Sequence, residues 1–179
     1  MSTEPRFAFV SWLEHVRDSN DQSYARGTLA MLRRGLGKEP GEDANVMRHV
    51  VPWLPADAGP WSGRPFFTIA SLFALHPQAG GTGDMGSHFR QVQKGKQSAE
   101  AVERRFTALL SAHEDELEWH LRQAVSLCKA NHVPVNWHGL FRDVRGWSHP
   151  NRWVQRNWAR SFWGRTQDED TAQELEAVS

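Results

Sequence analysis

The stretch from Ala99 to Asn131, AEAVERRFTALLSAHEDELEWHLRQAVSLCKAN, constrains the chain most. Val102, Phe106, Leu109 and Leu110 recur at helical spacing, and so do Leu117, Leu121, Ala124, Val125 and Cys128. Each set repeats at i, i+4, i+7 and i+8, the pattern of a helix with one buried face. Ser111-Ala112-His113 turns the chain, and Glu114, Asp115 and Glu116 suit a helix N-terminus, where the macrodipole favours anions. The stretch is therefore an antiparallel helix pair. Arg104 points almost opposite the first stripe, with Arg105 and Arg122 on the shoulders. Glu100 and Glu118 stand one turn before Arg104 and Arg122, so the plain reading of each arginine is a solvated, paired charge. A functional reading requires that such arginines recur.

The rest of the chain is also helical. Phe7 to Asp18 carries Phe9, Trp12, Leu13 and Val16 on one side. Ser19-Asn20-Asp21 breaks it, and Asp21 or Ser23 caps a second helix reaching about Leu36. That helix buries Ala25, Leu29, Leu32 and Leu36. Its other face gathers Arg26, Arg33 and Arg34, with no acid inside the helix one turn away from any of them. Asp43 to Val51 is a short helix. The apolar run from Pro65 to Leu75 is a buried helix, because no convincing strand exists to pair with it. Residues 77–98 form the longest irregular stretch, Gly-rich and basic, with one or two helical turns over Ser87–Gln93 that turn Phe89 inward and Arg90 outward. Asn136–Arg145 is a helix with Trp137, Leu140, Phe141 and Val144 inward. A last helix starts at Ser148-His149-Pro150, with Val154, Trp158 and Phe162 inside and Arg152, Arg156 and Arg160 in one outer stripe. The fold class is thus all-α, as two small packed helical units: residues 1–85 and residues 86–165. An acidic tail, residues 166–179, reads as disordered from its charge and low hydrophobicity.

Zero net charge over 179 residues conceals an asymmetry. Residues 129–165 carry seven basic groups against Asp143 alone, and residues 166–179 carry five acids and no base. Seventeen of the 21 basic residues are arginine, which grips phosphate bidentately better than lysine does. Most of the nine tryptophans are expected in the core. The single Cys128 sits on an apolar helix face, a buried and inert thiol in a chain without internal disulfides, as in the cytoplasm. MSTEPRF has no apolar signal region, and no run nears the roughly 20 apolar residues of a membrane span.

Catalytic chemistry is hard to place. Gly81, Gly83 and Gly86 spell a formal G-x-G-x-x-G, but no βαβ unit surrounds it, so a dinucleotide fold is rejected. His113-Glu114 lacks the second histidine of H-E-x-x-H. The nine histidines have no ligand spacing and read as surface or cap residues. No nucleophile elbow, Walker lysine or carboxylate pair is visible. No cofactor and no metal are expected, and an enzyme ranks well below a binding protein.

What remains is cationic. Arg26, Arg33, Arg34, Arg64, Arg90, Lys94, Lys96, Arg104, Arg105, Arg122, Arg142 and Arg145 are candidate contacts to a phosphate backbone, which give affinity without reading sequence. Trp153 and Trp163 are the nearest candidates for stacking unpaired bases. The competing readings are an RNA-binding or scaffold protein whose arginines dock acidic protein surfaces, and a metal-dependent hydrolase.

The order of segments resembles the small subunit of the type I-E CRISPR surveillance complex Cascade, the CasB family. The resemblance is carried by Leu32-Arg33-Arg34, Leu75-His76-Pro77, Gly86-Ser87-His88-Phe89, Glu103-Arg104-Arg105-Phe106 with Leu109-Leu110, His120-Leu121-Arg122, Pro134-Val135-Asn136-Trp137, and Trp158-Ala159-Arg160-Ser161-Phe162-Trp163. It spans about Phe7 to Trp163. The resemblance implies a non-catalytic, all-α, nucleic-acid-binding subunit of two helical units that acts in antiviral defence. It implies as partners a second copy of the chain, the large subunit, the crRNA-binding backbone subunits, crRNA and target DNA, with no membrane. It implies a role in holding the displaced non-target strand and stabilising the R-loop. By the family pattern Arg33, Arg34, Arg104, Arg105 and Arg122 are DNA contacts. The other candidates rest on charge alone, and the Arg152 stripe could instead meet carboxylates of a neighbouring subunit.

Overall fold

A computed structural model describes residues 6–95 and 98–164, apart from the side chains of Pro60 and Trp61. Lys96 and the acidic segment 166–179 lie outside the described residues. Among those described there are nine α-helices and no strand: α1 Ala8–Arg17, α2 Gln22–Arg33, α3 Ala44–Val50, α4 Pro60–Leu75, α5 Met85–Gln93, α6 Ala99–Leu110, α7 Leu117–Ala130, α8 Trp137–Arg145 and α9 Trp153–Trp163. A 3-10 turn, Val51–Trp53, follows α3.

Helix α4 is the hub of one half. It packs against α1, α2, α3, α7 and α8, and Ile69, Ala70, Leu72, Phe73 and Ala74 are wholly buried in it. It begins at Pro60, five residues ahead of the sequence expectation. Pro60 occupies the first turn, where a missing N–H costs nothing. Pro65, expected to open the helix, lies inside it.

Helix α5 is the hub of the other half, against α6, α7 and α9. The sequence reading gave this region only a turn or two, and the reason for the difference is local. Asp84 and Ser87 form a reciprocal capping box, with the Ser87 amide donating to Asp84 Oδ1 at 3.0 Å and the Asp84 amide donating to Ser87 Oγ at 3.0 Å. Met85, His88, Phe89 and Val92 then bury a full face. Phe89 is inward as expected. Arg90 is not free to point outward; it is half-buried and its Nη1 donates to the Gly164 carbonyl at 2.6 Å, closing the end of α9. The formal glycine motif serves close packing. A β-carbon at Gly86 would meet the Trp158 backbone of α9, and one at Gly81 would meet the backbone at Val135.

Helix α9 starts at Trp153, later than expected. Arg152 is its N-cap in the left-handed region, at φ 52°, and Asn151 Oδ1 accepts the Trp153 amide at 3.1 Å. The turn 148–152 therefore separates Arg152 from the helical stripe, leaving Arg156 and Arg160 in it.

One apolar cluster runs through all nine helices. Trp137, Trp147 and Trp158 are buried, and Trp12, Trp53 and Trp153 pack against the cluster. Asp143, fully enclosed, accepts the Trp158 indole N–H at 2.7 Å and pairs with Arg142 at 2.8 Å. Burial pushes the Cys128 thiol up to about 12, so it is inert at neutral pH. Two histidines expected at the surface are inside. His76 Nε2 bonds the Val133 carbonyl at 2.8 Å, and His88 sits between the Thr82 carbonyl and the Asn136 amide. Burial lowers both pKa values, that of His88 to about 4. No cluster of three metal-ligating side chains occurs among the described residues.

Candidate nucleic-acid interface

The candidate cations fall into three settings. The first is a corner where the end of α2, the loop to α3, α4 and α7 meet. Arg33 Nε and Nη2 donate to the Ala74 carbonyl at 3.1 and 2.9 Å, so this arginine caps the last turn of α4. Arg34 lies 3.5 Å from Asp43, and Lys38 reaches the same carboxylate at 2.8 Å. Lys38 and the capping amides of Asn45 and Val46 hold the Asp43 carboxyl down at about 2. Arg64 on α4 pairs with Glu39 at 2.7 Å. Arg122 reaches over from α7, so close that a β-carbon at Gly37 would lie 3.3 Å from its Nη1. Arg34, Arg64 and Arg122, spread through the sequence, thus lie around the loop from α2 to α3 with Lys38, which sequence reasoning left out, while Arg33 sits at the C-terminal end of α4. Lys38 follows the helix-ending Gly37, and its only signal was proximity to Arg33 and Arg34. Arg26 lies two turns up α2, exposed, with Nε on its own helix at the Gln22 carbonyl.

The second setting is an open face. Arg104 and Arg105 on α6, Lys94 at the end of α5, and Arg156 and Arg160 on α9 are exposed and make no ion pair among the described residues. The helical pairing expected of Glu100 with Arg104 and Glu118 with Arg122 does not form there. Glu118 instead turns inward toward Thr68, 3.4 Å away, and burial raises its pKa. Arg122 belongs to both settings, since it lies in the corner and carries no paired acid.

The third setting is packing. Arg142 is bound to Asp143 and lies 5.8 Å from the Trp153 ring. Arg145 lies over Phe141 and Phe7, at 5.5 and 6.0 Å. Arg145 also lines, with Arg64, a cavity of about 310 Å³. Arg90 belongs here too, held by α9. These side chains are partly spent on the fold.

The stacking candidates divide likewise. Trp163 is half exposed, but its N–H donates to Glu103 at 2.9 Å and its ring packs edge-on against Phe106. Trp153 is half-buried beneath Arg142. Trp119, at 61% exposure the most open indole among the described residues, was not foreseen. Its signal was present: it lies between Leu117 and Leu121, two residues off the buried stripe of α7.

The described residues define a fold class: an all-α protein that presents exposed cations at the α2–α4–α7 corner and on α6 and α9. The comparisons with known proteins narrow the class. The family model described as CRISPR-associated protein Cse2 matches residues 28–163. A CRISPR-associated protein Cse2 from Thermus thermophilus is 32% identical over 178 residues, covering 97% of this chain and 99% of that one. The crystal structure of CasB from Thermus thermophilus superposes with TM-score 0.71 at 30% identity, over 88% of this chain and 96% of that one. A chain of a solved CRISPR RNA-guided surveillance complex shares the fold, with TM-score 0.74 at 23% identity over 94% and 95%. The chain belongs to the Cse2 family of CRISPR-associated proteins, named CasB in solved structures.

Proposed function

We propose that this chain is the small, non-catalytic subunit of a CRISPR RNA-guided surveillance complex, and that its cationic surface holds the displaced non-target strand. The observation that carries the reading is that Arg34, Lys38, Arg64 and Arg122, from three separate segments, lie around the loop from α2 to α3, with Arg33 beside them at the end of α4. Family membership supports it, as does the likeness to a chain of a solved surveillance complex. The corner draws on both of the helical units proposed from the sequence, 1–85 and 86–165: α2 and α4 lie in the first and α7 in the second. Its partners are the large subunit, the crRNA-binding backbone subunits and a second copy of the chain.

The physical logic is one of small margins. Replacing a DNA duplex by an RNA–DNA hybrid is nearly balanced in energy, so protein contacts to the sugar-phosphate backbone tip it. Each neutralised phosphate releases counterions, and the affinity falls linearly in log salt by about 0.7 per contact on a single strand. Arginines that touch phosphate alone suit a target of any sequence. A gel-shift series with single- and double-stranded DNA over increasing salt tests the reading. Salt-sensitive binding without sequence preference is expected. Absence of DNA binding even at low salt would favour the scaffold reading, in which Arg156 and Arg160 dock acidic protein.

A further inference from the structure

We propose that the groove between α6 and α7 is a seat for one unpaired nucleobase, with Trp119 as its stacking platform and Arg105 as its phosphate anchor. The inference rests on the proposed strand-holding function and locates one contact within it. The groove encloses about 430 Å³, within the range of roughly 300–1,000 Å³ that small-molecule sites occupy. Its walls are Arg105 and Ala108 on one side and Trp119, His120, Gln123 and Leu127 on the other; Phe89 also lines it. None of its lining residues is acidic.

Three features point to a nucleotide. First, the Trp119 indole is 61% exposed, the most open among the described residues, and meets the neighbouring His120 ring at 4.8 Å and 90°. Trp163 donates its N–H to Glu103 and Trp153 lies beneath Arg142, whereas Trp119 makes neither kind of contact among the described residues. Second, Arg105 has no ion-pair partner among the described residues, so it faces the groove with its full charge. Third, the Gln123 amide and the His120 ring offer both donors and acceptors, which suits the edge of any base without selecting one. Flat aromatic faces stack on every base, so such a seat tolerates sequence as the displaced strand requires. A protein partner would ask for a wider apolar patch. Apart from Trp163, the other exposed large apolar side chains, Tyr24, Met47 and Val51, lie on α2, α3 and the turn after it, not on α6 or α7.

The test measures binding of oligothymidylate and of duplex DNA by W119A, W119F and R105A over a salt series, with folding checked by circular dichroism. W119A is expected to bind the single strand roughly fivefold or more weakly, with unchanged salt slope and unchanged duplex affinity. W119F keeps most of the affinity, and R105A flattens the slope by about 0.7. Irradiation of an iodouracil-substituted oligonucleotide bound to the wild type is expected to crosslink at Trp119. Wild-type single-strand affinity in W119A, with salt-sensitive binding intact, overturns the seat and leaves the proposed function standing. Unchanged DNA binding with lost assembly into the complex makes the indole a protein contact and also overturns it. No salt-sensitive binding by the wild type removes the parent function and the seat with it.

Discussion

The corner at α2, α4 and α7 and the open face of α6 and α9 both present cations, but they hold them differently. In the corner, Arg33 is fixed to the end of α4, Arg34 and Lys38 share Asp43, and Arg64 is tied to Glu39. On the open face Arg104, Arg105, Arg156 and Arg160 have no paired acid among the described residues. Held arginines lose little further freedom on binding, yet their charge is already partly balanced. Free arginines offer undiminished charge but must be ordered by the ligand, at about 0.5–1.5 kcal/mol per side chain. In the proposed function the two regions divide the work between position and charge. Neither alone explains how a loose strand would be gripped in one register.

The largest expected effect breaks the comparison from beneath. The open face rests on α5, where His88 is buried and its pKa lowered to about 4. Unfolded, that ring titrates near 6.5, so between the two values the unfolded chain binds more protons than the folded one. Stability from this histidine is full above about pH 6.5 and is lost as pH falls toward 4, by a few kcal/mol. Denaturant titrations across that pH range read it, and a flat profile would show that His88 takes up its proton without cost in the fold. Next, R33A with R34A is expected to weaken single-strand binding and flatten its salt slope by about 1.4. Losing the cap on Ala74 also lowers stability by about 1 kcal/mol without unfolding the chain. R104A with R105A is expected to flatten the slope as much with stability unchanged within about 0.5 kcal/mol, because nothing holds those side chains. Equal stability losses in the two double variants would erase the distinction. The smallest effect is D43N, which keeps a capping side chain but removes the charge shared by Arg34 and Lys38. It is expected to strengthen DNA binding severalfold and lower stability slightly at neutral pH, where the carboxylate is ionised. Its contribution in the wild type is present above about pH 4 and fades as pH falls toward 2. Unchanged binding by D43N would mean the corner cations are not restrained by Asp43.

The long amphipathic helices were legible in the sequence because each buries a continuous stripe: Val102, Phe106 and Leu109 in α6, and Leu117, Leu121 and Val125 in α7. Helix α5 was obscured because it is short and set among glycines, and its cue was the Asp84–Ser87 box rather than periodicity. The start of α9 was misplaced because Pro150 resembles a first-turn residue, while Asn151 and a left-handed Arg152 hold the turn open. Of the site, the cationic residue types were legible and their partners were not. Arg33 meets a carbonyl 41 residues away and Arg64 a carboxylate 25 residues away, links that only packing creates. The same limit hid Trp119, which an isolated helix marks as outward but not as part of a groove with Arg105.

The proposed strand-holding role is tested most directly in the assembled complex on matched target DNA, by probing the displaced strand with a single-strand-specific nuclease. Complexes carrying the wild-type chain are expected to protect a continuous part of that strand, and complexes carrying R33A, R34A, R104A, R105A and R122A together to leave it open to cutting. Equal protection by the two, with the variant chain folded and incorporated, would contradict the claim that these arginines hold it.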